Sequence, residues 1–77
     1  MGFIYERLTK RELEILYHIS EYRKNSEISS ILFISCHTVE THKSNIIKKM
    51  QLKNSTELIG FAIQNKDKIS RYYQLLK

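Results

Sequence analysis

The chain has 77 residues, 42% of them hydrophobic and 27% charged, with no Pro, two Gly, one Cys and a formal net charge of +5. So short a chain holds one core, is too apolar to remain disordered and too poor in turn residues for an all-β fold, which leaves an all-α domain. A single cysteine excludes an intrachain disulfide and fits a reducing compartment. No apolar run approaches the about 20 residues that span a bilayer, and MGFIYERL lacks the apolar segment of a signal peptide, so a soluble cytoplasmic protein with no membrane partner is expected. Met1-Gly2 would suit myristoylation, but Glu6 stands where that signal requires Ser or Thr.

Charge is unevenly spread. Residues 1–35 carry five Lys/Arg and five Asp/Glu, and residues 36–77 carry eight against three, so the whole excess lies in the second half and points to a polyanionic partner there. In chain order, Leu8-Thr9-Lys10-Arg11-Glu12-Leu13 reads as a helix start, with Thr9 as cap and Leu8 stapled onto Leu13. Glu12 has two candidate roles, closing a capping box or pairing with a basic residue of a later helix. Ile15, Leu16 and Ile19 continue an apolar stripe, so the first helix is predicted from about Lys10 to Tyr22. Asn25 is a plausible cap for a second helix, with Glu27 in its first turn and Ile28, Ile31 and Leu32 as its apolar face. Phe33-Ile34-Ser35 breaks the phase. Ser35 then caps a third helix with Ile34 stapled onto Val39, and so short a connection makes the two helices cross steeply.

The third helix, Cys36 to about Gln51, resolves into faces at about 100° per residue. Val39, Ile46, Ile47 and Met50 share the side expected to be buried. His37, Thr41, Ser44 and Lys48 lie opposite, flanked by Glu40 and Asn45: short polar groups suited to base edges, with a cation one turn on to reach phosphate. His42 lies partly inside. Lys43 falls within the apolar stripe, with its stem expected to pack and its ammonium to snorkel out. Cys36, His37 and His42 suggest a metal, but the two histidines share no face and tetrahedral zinc needs four convergent ligands. Ser35, Cys36 and His37 are neighbours along a helix start, which is not a nucleophile oriented by a base, so neither a metal nor catalysis is expected. Cys36 is a plain small residue or, less simply, a redox-sensing thiol.

Asn54 or Ser55 caps a fourth helix, whose core face is Leu58, Ile59, Ala62 and Ile63. Ile59 and Phe61 widen its apolar arc beyond the needs of a small core, which hints at a partner subunit. Ile69, Tyr72, Tyr73 and Leu76 make the tail a further amphipathic segment that either continues the fourth helix or bends back at Asn65. The tyrosines suit a core edge or a dimer seam.

These landmarks resemble the LuxR/GerE/FixJ (NarL-type) helix-turn-helix family of bacterial transcription factors. LTKRELEIL is similar to that family's opening helix, NSEIS to its second, LFISCHTVETH to its turn and recognition helix, and KKMQLKNSTEL to its closing segment, from about Leu8 to Ile69. The resemblance implies an all-α, four-helix helix-turn-helix domain over residues 4–69, with a helical C-terminal extension over residues 70–77. It implies no cofactor, double-stranded DNA as partner, a homodimer, and RNA polymerase as a further candidate partner. Carried onto this chain, Glu40, Thr41 and Ser44 occupy base-reading positions. Asn25, Ser35, Thr38, Lys43, Lys48 and Lys53 occupy phosphate positions, with His37 grouped beside them from the outward face. Ile59, Ile63, Tyr72 and Tyr73 form the candidate dimer surface.

The departures carry meaning. Lys10 replaces the usual Pro at a position that tolerates many residues. Tyr22 stands where Gly is common, which puts the geometry of the first interhelical turn in question. Glu40 stands where Lys or Arg is frequent; it loses phosphate attraction but accepts a bond from cytosine N4. No receiver or sensing domain precedes the module in this sequence, so the chain reads as a stand-alone member or an excised effector domain. The expected function is sequence-specific reading of double-stranded DNA in transcriptional regulation. The alternative is a protein-interaction module that binds another regulator through its fourth helix and tail without reading DNA.

Overall fold

A computed structural model describes residues 3–76, and side chains from Tyr5 onward; Met1 and Gly2, on which the acylation question fell, and Lys77 lie outside the described residues. The described chain is all-helical. A short 3-10 helix (Phe3–Arg7) leads into α1 (Lys10–Ser20), α2 (Asn25–Leu32), α3 (Cys36–Lys49), α4 (Ser55–Gln64) and α5 (Lys66–Leu76).

Local chemistry sets where the first four helices begin. At α1 the Thr9 hydroxyl accepts the Glu12 N–H at 3.1 Å, and Glu12 Oε1 accepts the Thr9 N–H at 2.9 Å. That same oxygen also takes the Lys49 ammonium at 2.7 Å, so one carboxylate fills both of the roles open to it. At α2 the expected cap is corrected by one residue. Glu27 accepts the Lys24 N–H at 2.8 Å, which makes Lys24 the capping position and Asn25 the first helical residue. Ser35 caps α3 by accepting the Thr38 N–H at 3.0 Å, and Asn54 rather than Ser55 caps α4 by accepting the Glu57 N–H at 3.0 Å.

The ends are set by left-handed residues. Tyr22, Phe33 and Gln51 take φ of 65°, 58° and 58°. After α1, Arg23 N–H returns to the His18 carbonyl at 3.2 Å and Tyr22 N–H to Ile19 at 3.0 Å; after α3, Leu52 N–H returns to Ile47 at 2.9 Å and Gln51 N–H to Lys48 at 3.2 Å. These paired bonds satisfy carbonyls that the helix leaves open, and they normally call for Gly at the left-handed position. Here Tyr22 and Gln51 adopt it instead. So α1 and α3 stop at Ser20 and Lys49, two residues short of the expected Tyr22 and Gln51. The tyrosine in place of Gly therefore keeps a glycine-like turn.

The hub is α1, which packs against α3, α4 and α5, while α2 leans chiefly on α3. Leu13, Ile15, Leu16 and Ile19 from α1 meet Ile28, Val39, Ile46, Met50, Leu58, Ala62 and Ile69 in one buried cluster. Tyr5, from the segment ahead of α1, is buried with them, its ring 5.5 Å from Tyr72 and 6.4 Å from Phe61. The tail bends at Asn65, whose side-chain amide donates to the Phe61 carbonyl at 2.9 Å and closes α4. Beyond it α5 folds onto α1 and runs unbroken through residues 69 and 70, where the sequence suggested that the domain gives way to an extension.

Candidate nucleic-acid interface

The candidate face is built on α3, and its geometry follows from which side of that helix is buried. Val39 and Ile46 are fully buried, Met50 nearly so, and Ile47 packs against the same core. His37, Glu40, Thr41, Ser44 and Lys48 are all exposed on the other side. A rigid helix with one face anchored and the other lined by short polar groups presents those groups in fixed register. Asn45 and His42 sit half-buried at the margins, and His42 Nδ1 is buried without a hydrogen-bond partner among the described residues. The short turn that swings α3 away from α2 is held by Ile34 N–H on the Ser29 carbonyl at 3.0 Å and by Ser35, whose hydroxyl also bonds Thr38 Oγ1 at 2.9 Å.

Thr41 is partly committed within its own helix. Its hydroxyl donates to the His37 carbonyl at 3.1 Å, leaving the oxygen lone pairs and the methyl group outward. Ser44, Lys48 and Lys53 are exposed. Lys49 faces the other way, held by the buried carboxylate of Glu12. Burial alone would raise the carboxyl pKa of Glu12, but the hydrogen bond from Lys49 and the Thr9 N–H outweigh it and hold it below the ordinary value.

Three of the expected contact residues are brought together. The Asn25 amide nitrogen donates to Glu40 Oε2, and the Asn25 amide oxygen accepts from Lys43 Nζ at 3.1 Å. Lys43 Nζ is also 3.9 Å from Glu40 Oε2. The expectation that the Lys43 ammonium snorkels into solvent is corrected here: the side chain is 11% exposed and ends on Asn25. Asn25 was free to do this because Lys24, not Asn25, caps α2. Lys24 has no side-chain acceptor and makes only the Glu27 half of a capping box, so the local sequence pointed to Asn25 as the cap instead.

The candidate dimer residues separate into two environments. Ile59 is 43% exposed and lines, with Ile63, Ile19, Tyr22, Asn25 and Lys43, a cleft of about 280 Å³. Tyr72 and Tyr73 turn inward. Tyr72 packs on Tyr5 at 5.5 Å, and Tyr73 stacks on Tyr17 at 4.5 Å with its hydroxyl donating to Glu14 at 3.3 Å. Among the described residues no group of three or more His, Cys, Asp or Glu is gathered as a metal requires, and no helix is long and apolar enough to cross a membrane.

Residues 6–62 match the family model described as bacterial regulatory proteins, luxR family. The chain belongs to the LuxR family. The match supports a LuxR-type DNA-binding helix-turn-helix domain. Among curated LuxR-family relatives, it is 48% identical to the oxygen regulatory protein NreC of Staphylococcus carnosus over 59 residues, 77% of this chain and 27% of that protein. It is 42% identical to the response regulator protein VraR of Staphylococcus aureus over 62 residues, 80% of this chain and 30% of that protein. The chain therefore spans less than a third of the length of these relatives. No solved structure matches it.

Proposed function

We propose that this LuxR-family domain reads a specific double-stranded DNA sequence as part of a cytoplasmic transcriptional regulator, with α3 in the major groove. The observation that carries the reading is that His37, Thr41, Ser44 and Lys48 stand exposed together on a helix whose opposite face is locked into the core. On this reading Glu40, Thr41 and Ser44 meet base edges, while Ser35, His37, Thr38, Lys48 and Lys53 fix register on phosphate. The regulatory names of the NreC and VraR relatives support a role in gene control.

The domain acts as a homodimer on paired half-sites, with Ile59 and Ile63 of α4 at the centre of the seam. Ile59 is exposed and adjoins an apolar cleft, whereas Tyr72 and Tyr73 are occupied at the chain's own core edge. Selection from random duplex DNA tests both parts. Enrichment of a motif repeated about one helical turn apart is the expected result. Recovery without sequence preference at low salt would overturn DNA reading and favour the protein-interaction alternative.

A further inference from the structure

We infer that Asn25 and Lys43 act as positioning residues for Glu40, and that this brace, not phosphate contact, is their contribution to sequence recognition. The inference rests on the DNA reading proposed above and assigns the source of selectivity at one position of it.

Glu40 stands at the rim of the recognition helix with its side chain 56% exposed. An exposed glutamate left to itself samples several rotamers, and ordering it on DNA would cost that freedom at the moment of binding. Here one carboxylate oxygen, Oε2, is already held by the Asn25 amide nitrogen. The other oxygen is left to accept from a base edge, and cytosine N4 is the major-groove donor that suits it. Asn25 suits this relay by chemistry. Lys43 Nζ and the Glu40 carboxylate attract each other across 3.9 Å, and a group that both donates and accepts can bond each of them at once. The amide does so, taking Lys43 Nζ at 3.1 Å on its oxygen and giving its N–H to Glu40.

Lys43 also supplies a positive charge 3.9 Å from the carboxylate, which offsets the repulsion Glu40 meets as it nears the phosphate backbone. With only 11% of its side chain exposed and its ammonium turned to Asn25, it is badly placed to reach a phosphate itself. The brace also crosses from the first residue of α2 to the middle of α3, so it ties base preference to the angle between the two helices.

Binding selectivity and salt dependence, measured on enriched duplexes, separate a positioning role from a phosphate contact. The protein is expected to prefer a C·G pair at the position facing residue 40, and Glu40→Ala to lose that preference. Asn25→Ala, and Lys43→Met, which keeps the packed stem, should each reduce selectivity at that one pair by about fivefold or more while leaving the other positions intact. The slope of affinity against salt should stay as it was, Lys43→Arg should restore preference, and Asn25→Ala should add nothing to Glu40→Ala. Uniform weakening of all sequences, with the slope falling by about one per residue replaced, would make them phosphate contacts and overturn the brace. Selectivity that ignores residue 40 would overturn the brace alone, whereas a wild type that enriches no motif overturns the DNA reading and the brace with it. Should Lys43→Met fail to melt cooperatively, Asn25→Ala decides.

Discussion

Thr41 and Ser44 share a face of α3 but offer different chemistry. Thr41 has committed its hydroxyl proton to the His37 carbonyl, so on the proposed reading it would meet a base pair through its lone pairs or by laying its methyl against a thymine methyl. Ser44 is exposed with a hydroxyl able to donate or accept. Alanine at either position should alter discrimination at the contacted pair by about 1–3 kcal/mol. Lys48→Ala should instead weaken all sequences alike, which competition binding against single-substitution duplexes would show. A change of preference from Lys48→Ala without one from Thr41→Ala would reverse the face assignment. Phe33 gives a stability prediction of its own. It is 93% exposed and holds φ of 58°, so its ring buries almost nothing while its backbone sits where side chains are disfavoured. Phe33→Gly should stabilise the domain by up to about 1 kcal/mol, after the extra freedom of glycine in the unfolded chain is counted, and raise Tm by several degrees.

At the level of helices, the sequence was most legible where local chemistry decides. Thr9 with Glu12, Ser35 with Thr38, and the apolar stripes of α1 and α3 all stand where periodicity and capping place them. Helix ends were less legible because the usual stop signal is missing: α1 and α3 close on Tyr22 and Gln51, not on Gly. The burial of Tyr5 and the brace of Asn25 to Glu40 come from contacts between residues far apart in the chain, to which a local pattern is blind. The Glu12–Lys49 pair also joins distant residues and ties α1 to α3, but its acidic half was singled out in the sequence and only the basic partner was not. Lys49→Met leaves a buried carboxylate short of a partner and should cost about 2–3 kcal/mol at neutral pH, measured by denaturant unfolding. Ile69 is fully buried where α5 folds onto α1, so Ile69→Ala should cost about 2–5 kcal/mol if the tail belongs to the fold's core.

Acid acts on the same helices in two steps. Burial holds the His18 pKa below its ordinary 6.5, helped by the Arg23 guanidinium, which donates to His18 Nδ1 at 3.0 Å and so requires the neutral ring. A lowered folded-state value means stability that is full above 6.5 and is lost as pH falls from there towards the folded value. Glu12, also lowered, contributes stability that is present above its ordinary 4.5 and is lost as pH falls through its folded value. Thermal melts across pH should therefore weaken first below neutrality and again in the carboxylate range. His18→Gln should flatten the first step and spare the second.

Across the whole molecule the charge is polarised, with a neutral first half and the whole excess of positive charge in residues 36–77, the part that holds α3. A dimer neutralising roughly 6–10 phosphates would lose on the order of 10³-fold or more in affinity between 50 and 200 mM salt. Salt dependence alone does not distinguish reading from adhesion, because any basic surface shows it. The central claim is that the outward face of α3 selects sequence, and it is tested most directly by titrating the protein and a Thr41→Ala/Ser44→Ala variant against an enriched duplex and its scrambled counterpart across that salt range. Both duplexes should lose affinity together as salt rises, while the wild type keeps a preference of about 10³-fold or more for the enriched one and the variant loses most of it. A ratio near one for the wild type, or a ratio that the variant leaves unchanged, would contradict the account.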